Sequence, residues 1–186
     1  MRRFASIEGC SVPPKVSNQE FRVERLSDTH DRSAFSCGND AIDRYLREQA
    51  GQDQRRRIST SFVLIDVANG AVAGFYSLAA SAVEPSSLPE ETSKRLLRRP
   101  LPVTLLGRLA VDLGYSGQRL GSRLLADALI RAAVASSNVG SMSVIVGAKD
   151  DAVREFYERH GFQPFADDPL RLFIPMADVA RQIQEL

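Results

Sequence analysis

Residues 114–125 read GYSGQRLGSRLL, three glycines with Arg119 and Arg123 among them, running into a leucine-rich helical pattern. Glycine permits positive φ and lets a ligand come close to the backbone. The first N–H groups of a helix lack intrahelical partners, and the helix dipole favours negative charge there. Such a turn can cradle a phosphate. The common nucleotide loops do not fit it. A P-loop needs a Gly-Lys pair five residues after its first glycine, and none is present. A dinucleotide turn needs Gly-x-Gly-x-x-Gly, which Gly117, Arg119 and Gly121 do not give. A hydrolase elbow needs Gly-x-Ser-x-Gly, but Gly117 follows Ser116 one place too early. By itself the stretch fits a bare glycine-rich connection as well as an anion site.

The elements around it are readable. VTLLGRLAVD (103–112) is a strongly apolar strand, and Leu120, Leu124, Leu125, Ala128, Leu129, Ala132 and Ala133 keep helical spacing over 120–135. Upstream, FRVERL (21–26) reads as a short strand. Asn39 or Asp40 can cap a helix over 40–55 with Ile42, Tyr45, Leu46 and Ala50 on one face. ISTSFVLIDV (58–67), Asn69-Gly70 and AVAGFYSLAASAVE (71–84) read as a β-hairpin. Residues 86–99 read as a polar, basic helix ended by Pro100 and Pro102. Downstream, SMSVIVGA (141–148) is a strand. Asp150 or Asp151 caps a short helix with Val153, Phe156, Tyr157 and His160 on one side, ended by Gly161. LRLFIPM (170–176) is a last strand. The order predicts one mixed α/β domain over 20–186, behind a flexible extension over 1–19 that contains Pro13-Pro14.

The 186 residues suffice for one ordinary core. With 44% hydrophobic and 25% charged residues they match a water-soluble globular chain. The net charge of +1 names no partner class, but 21 of the 24 cations are Arg, the cation whose planar fork suits phosphate. Codon usage explains that bias equally well. Two cysteines without paired spacing, Cys10 and Cys37, fit neither a zinc ribbon nor a disulfide scaffold. No apolar run approaches the roughly 18 residues of a membrane span, and the N-terminus lacks the apolar core of a signal peptide. A cytoplasmic, metal-free protein is expected.

LLGRLAVDLGYSGQRLGSRLLADAL (105–129) resembles motif A of the GNAT N-acetyltransferase superfamily, and KDDAVREFYERHGF (149–162) resembles its motif B. In the family the turn has the form Gln/Arg-x-x-Gly-x-Gly/Ala and binds the pyrophosphate of acetyl-CoA. In that register Ser116 stands at the Gln/Arg position and Arg119 at the inner glycine. HDRSAFSCGNDAIDRYL and the following stretch to FVLID (30–66), GFYSLAA (74–80) and LPVTLLGRLAVD (101–112) are similar to one subgroup, the toxins of toxin–antitoxin modules that acetylate aminoacyl-tRNA. The similarity covers about residues 26–176.

The resemblance implies a GNAT fold: a mostly antiparallel central sheet with splayed central strands and flanking helices. It implies that Leu109, Ala110 and Val111 pair with pantetheine, with the Val111 N–H also polarising the thioester carbonyl. Gln118, Arg119, Gly121 and Ser122 become the pyrophosphate residues, with Gly117 shaping the turn and the Arg119 guanidinium pairing with phosphate. Tyr157, which spacing alone marks as a core aromatic, becomes the acid that protonates the CoA thiolate. The acceptor amine needs no strong base, since an α-amino group titrates at about 7.7–8.0. His160 reads as a helix-end residue, His30 as a loop residue, and Glu84 and Asp112 as the remaining bases.

A tRNA acceptor requires a basic surface. Arg55, Arg56, Arg57, Arg98 and Arg99 are the main candidates, with Arg44, Arg47, Lys94 and Arg95 beside them. Solvated helix ends account equally well for about half of these. The resemblance also implies a homodimer and a small ribbon-helix-helix antitoxin as partners. Two other readings share the acetyl-CoA site or part of it. One is a GNAT acting on a small amine or a protein N-terminus, and the other is a non-catalytic acyl-CoA-binding module.

Overall fold

The computed structural model of the chain describes residues 20–94 and 99–185, and only the backbone of residues 92 and 93. The expected extension over 1–19 and the candidates Arg95 and Arg98 lie outside the described residues.

Seven strands form one sheet in the order β1-β2-β3-β4-β5-β7-β6. They are β1 (Phe21–Arg25), β2 (Thr60–Asp66), β3 (Val72–Val83), β4 (Leu101–Val111), β5 (Ser143–Gly147), β6 (Gln163–Pro164) and β7 (Arg171–Pro175). Every neighbouring pair is antiparallel except β4 and β5. That pair is parallel because the helix α4 (Leu120–Ser136) carries the chain back across the sheet. Leu120, Leu124, Leu125, Ala128, Leu129 and Ala132 face inward, as the helical spacing requires. Gly74 sets how closely α4 approaches: a Cβ there would lie 2.8 Å from Leu124 Cδ1 and 2.9 Å from the Ala110 carbonyl oxygen.

The two faces of the sheet are covered differently. On one face α4, α5 (Asp151–Glu158) and α6 (Met176–Gln184) bury Leu64, Tyr76, Leu106, Val144, Val146 and Ile174. On the other, two clusters stand apart. One joins Tyr45, Leu46 and Ala50 to Val63, Phe75 and Ala110. The second joins Leu88 and Phe165 to Leu101, Val103, Ile145 and Phe173.

The expected helix over 40–55 is present but not uniform. α1 (Asp40–Arg44) and α2 (Ala50–Arg55) are joined by a π-helical turn, Tyr45–Gln49. Asn39 is its cap, accepting from the N–H groups of Ala41 and Ile42. The helix expected over 86–99 reduces, in its described part, to a 3-10 turn at Pro85–Ser87 and the single turn α3 (Glu90–Ser93). Pro100 directly precedes the next strand, but Pro102 does not bound it. β4 begins at Leu101 and contains Pro102, whose carbonyl accepts the Met142 N–H at 2.9 Å. Sequence periodicity missed β6, which is two residues long, and α6, which buries only Val179 fully.

Candidate active site

β4 pairs with β5 over only three residues, Thr104–Leu106 against Val144–Val146. Beyond Leu106 the two strands part. A bulge opens the divergence: Ser77 pairs with Arg108 and Leu78 with Leu106, leaving Gly107 unpaired in β4. On the β3 side the ladder continues to Asp112, whose N–H donates to the Ala73 carbonyl at 2.9 Å. Antiparallel alternation then fixes the rest. Ala110 turns its backbone groups toward β3, while Leu109 and Val111, at non-hydrogen-bonded positions, turn theirs to the open side. Of the three sequence candidates, these two present N–H and C=O groups to an extended ligand. Ala110 contributes its buried methyl to the α1 side.

The open edge of β4 runs directly into the glycine-rich turn. Asp112 caps it twice, accepting from Gly114 N–H (2.8 Å) and Ser36 N–H (2.8 Å). Tyr115 anchors it to the β2–β3 hairpin. Its hydroxyl donates to Asp66 Oδ2 at 2.9 Å and accepts from Asn69 Nδ2 at 3.3 Å, and its ring meets Phe21 edge-on. After that anchor Gly117 has φ +80° and Arg119 φ +57°. Arg119 therefore adopts the glycine-like conformation despite its Cβ, at a cost of about 1–2 kcal/mol. It is also the residue preceding α4 and supplies no side-chain cap. In α5 the Asp150 carboxylate covers the Val153 N–H; in α4 the first-turn donors stay open. Val111, Tyr115, Ser116, Gly117, Arg119, Leu120 and Gly121 line a concavity of about 400 Å³ over those donors. Gln118 is exposed beside it.

Tyr157 lies on α5, 5% exposed, between the rings of Phe156 and Phe162. Burial pushes its hydroxyl up to about 12. It thus keeps its proton at neutral pH, as a proton donor must. One turn on, His160 reaches back to α4: Nδ1 lies 2.7 Å from the Phe156 carbonyl oxygen and Nε2 3.0 Å from Ser122 Oγ. Ser122, expected at the pyrophosphate, is therefore engaged with His160.

The remaining candidates serve other ends. Asp112 spends both carboxylate oxygens on backbone N–H groups. His30 clasps its own loop, accepting from Ser27 N–H at 3.0 Å and meeting Glu24 through Nε2 at 3.3 Å. Glu84 is exposed and precedes the 3-10 turn. Arg47 donates to the Phe35 carbonyl, Arg55 lies 3.8 Å from Asp28, and Lys94 pairs with Glu90 at 2.9 Å. Arg44, Arg56, Arg57 and Arg99 are exposed. The strand registers bring Arg55–Arg57 and Arg99 to one end of the sheet, where β2 and β4 begin and β3 ends; the glycine-rich turn lies at the other end. Among the described residues, no cluster of His, Cys, Asp or Glu could hold a metal ion.

Sequence reasoning missed a buried carboxylate that braces the turn from behind. Asp43, 3% exposed, accepts from Cys37 N–H (2.9 Å) and Ser36 Oγ (3.1 Å). Ser36 in turn holds Asp112 and accepts the Leu113 N–H. Burial works to raise the Asp43 carboxyl, but the Cys37 and Ser36 hydrogen bonds outweigh it and hold it below its ordinary value. Its signal was in the sequence: an Asp on the helix face whose other members are apolar.

Residues 57–164 match the family model described as an acetyltransferase (GNAT) domain. The chain is 38% identical over 154 residues to a tRNA-acetylating toxin of Mycobacterium tuberculosis (strain ATCC 25618 / H37Rv), covering 83% of this chain and 91% of that protein. It is 28% identical to a probable toxin TacT of Sinorhizobium fredii (strain NBRC 101917 / NGR234), covering 81% and 87%. Among solved structures it resembles AtaT complexed with acetyl-methionyl-tRNAfMet (TM-score 0.82, 28% identity, 88% of this chain and 99% of that one). It also resembles AtaTR bound with acetyl-CoA (TM-score 0.76, 28% identity, 88% and 98%). A third is a tyrosine-to-phenylalanine mutant of the AtaT toxin bound to the C-terminus of the antitoxin AtaR (TM-score 0.76, 26% identity, 87% and 97%). The chain belongs to the GNAT family of acetyltransferases.

Proposed function

We propose that this protein transfers the acetyl group of acetyl-CoA to the α-amino group of an aminoacyl-tRNA, and that it does so as the toxin of a toxin–antitoxin pair. The observation that carries the reading is the open edge of β4 at Leu109 and Val111 continuing into the uncapped, positive-φ turn at Gly117–Gly121. That geometry suits a ligand with an amide-bearing arm and a pyrophosphate. The tRNA-acetylating relative and the acetyl-methionyl-tRNA bound to AtaT support the acceptor. The exposed arginines at 55–57 and 99, at one end of the sheet, support a phosphate-bearing acceptor as well.

In this reading Leu109 and Val111 pair with pantetheine, and the first-turn N–H groups of α4 hold the pyrophosphate with Arg119. The amine nitrogen attacks the thioester carbonyl. The Val111 N–H takes the charge developing on the oxygen. As the C–S bond breaks, the Tyr157 hydroxyl gives its proton to the thiolate sulfur. The proton leaving the nitrogen passes to water and water returns one to Tyr157, so the cycle closes; no strong base is needed to supply the neutral amine, which titrates at about 7.7–8.0. Thus Asp112, Glu84 and His30 need no part in the chemistry.

The protein works in the cytoplasm in this reading, where charged tRNA is found, as a homodimer restrained by a ribbon-helix-helix antitoxin. Relatives bound to AtaR and to DNA support an antitoxin partner. No helix among the described residues is long and apolar enough to cross a membrane. The deciding assay follows labelled acetyl from acetyl-CoA into bulk charged tRNA, with uncharged tRNA as control. Transfer to charged tRNA alone is expected. Transfer only to small amines or peptide N-termini would overturn the acceptor assignment, and no transfer with intact acetyl-CoA binding would make the protein a binding module.

A further inference from the structure

Arg108 lies in the open stretch of β4, immediately before Leu109, and belongs to none of the basic groups considered so far. Side chains alternate along a strand, and Leu109 packs on the α4 face, so Arg108 leaves the sheet on the opposite face. There its guanidinium carbon lies 3.5 Å from the ring centroid of Tyr45. That ring is a fixed platform. Tyr45 is 2% exposed, lies parallel to Phe75 and holds Ser59 Oγ through its hydroxyl at 3.1 Å. Yet the half-buried guanidinium makes no ion pair or hydrogen bond to any described residue. Five donors are held in one plane, partly desolvated, without an acceptor. The buried ring beneath holds the guanidinium in place through its π face, and the N–H edge of the fork has no acceptor among the described residues.

The surroundings say what that edge meets. The two apolar clusters on this face part at Arg108: Phe75 and Ala110 belong to one, Leu101, Val103 and Ile145 to the other. The α4 face of the same open stretch carries the phosphate turn. The β4 edge is thus approachable from both faces, with the turn on one and Arg108 on the other. A planar, preorientated fork suits a two-oxygen anion bound side-on. In an aminoacyl-tRNA the amino acid's own carboxylate is consumed in the ester, so the nearest such anion is the phosphodiester on the 5′ side of the terminal adenosine. We propose that Arg108 binds this phosphodiester and so selects aminoacyl esters carried on RNA over those on a bare nucleoside. The inference rests on the aminoacyl-tRNA reading above.

Two minimal acceptors isolate that phosphate: aminoacyl-adenosine, which lacks it, and the aminoacyl cytidylyl-adenosine dinucleotide, which has it. The wild type is expected to use the dinucleotide with kcat/KM at least tenfold higher. Arg108→Gln should abolish this preference while leaving the rate on aminoacyl-adenosine and the KM for acetyl-CoA within about twofold. Arg108→Lys, which keeps the charge without the fork, should retain part of it. With charged tRNA, the Arg108→Gln variant should lose about one unit from the slope of log KM against log salt. A packing role would change neither the preference nor that slope. Arg108→Gln retaining the preference, or losing both acceptors equally with an unchanged melting temperature, overturns the inference alone. A wild type that acetylates no aminoacyl ester at all overturns the acceptor reading and this inference together.

Discussion

The imidazole Nε2 of His160 lies 3.0 Å from Ser122 Oγ, fastening the end of α5 to the first turn of α4. The other ring nitrogen, 2.7 Å from the Phe156 carbonyl oxygen, must carry the proton, since a carbonyl only accepts. In the neutral ring Nε2 is then the acceptor, and Ser122 gives it its single hydroxyl proton. That proton is unavailable to a phosphate. Ser122→Ala should therefore leave the KM for acetyl-CoA within about twofold. His160→Ala removes both hydrogen bonds and the ring packed on Phe156, costing about 1–3 kcal/mol in denaturant titration. It should lower kcat more than it changes that KM, because Tyr157 is one turn away. A tenfold rise in KM for Ser122→Ala would return the hydroxyl to the pyrophosphate.

Arg119 poses the reverse case, a side chain retained where the backbone prefers glycine. Arg119→Gly relieves about 1–2 kcal/mol of left-handed strain but adds about 0.5–1 kcal/mol of backbone entropy on folding. The melting temperature should move by no more than a few degrees. In the proposed reading the variant also loses a charge-assisted bond to phosphate of about 1.5–3 kcal/mol, so the dissociation constant for acetyl-CoA should rise tenfold or more, as titration calorimetry can measure. Tighter binding in Arg119→Gly would mean that the arginine obstructs the cradle.

How much of this was legible beforehand depends on how local each feature is. The turn was readable because its glycines, the strand before it and the helix after it are contiguous. Asn39 and Asp150 were readable as caps for the same reason. The Arg119 departure from glycine was visible, and the structure adds its left-handed backbone angle. What stayed hidden joins distant segments. The parting of β4 and β5 depends on a pairing made after the whole of α4 has intervened. Ser122 looked free because its partner is 38 residues on. The mixed α and π turns at 40–55 share one apolar face, so periodicity could not separate them. The basic residues were countable, but only the registers of β2, β3 and β4 place them at one end.

Tyr157 should show its environment in a pH profile. Burial raises its hydroxyl to about 12, so the neutral form is favoured by the fold. The stability this gives is complete below the unfolded value near 10 and is lost as pH rises from there toward 12. As an acid, Tyr157 therefore stays loaded through the working range. The rate should climb as the acceptor amine loses its proton and then hold level to about pH 10, with no alkaline limb. Tyr157→Phe should lower kcat by about 10²–10⁴ while leaving the acidic limb in place. Stopped assays between pH 6 and 10.5 would reveal this: an unchanged kcat in Tyr157→Phe would overturn its role as the acid, and an alkaline descent centred below pH 10 that disappears in Tyr157→Phe would overturn only the raised hydroxyl.

Asp43 tests whether the brace behind the turn matters for binding. Its carboxylate holds Cys37 N–H and Ser36 Oγ, and Ser36 holds Asp112, which caps the turn. Asp43→Ala orphans a partly buried N–H and should cost about 1–3 kcal/mol. Asp43→Asn, whose amide oxygen can still accept from Cys37, should cost less. Because the folded carboxyl is held below its unfolded value, its contribution is full above about pH 4 and fades as pH falls through the lower folded value. The stability gap between wild type and Asp43→Asn in urea titrations should therefore be constant from pH 7 to 5 and close below that. If the chain of hydrogen bonds transmits to the turn, Asp43→Ala also weakens acetyl-CoA binding at pH 7, although the carboxylate is separated from the cradle by Ser36 and Asp112. An unchanged dissociation constant in a folded Asp43→Ala protein would confine the brace to stability.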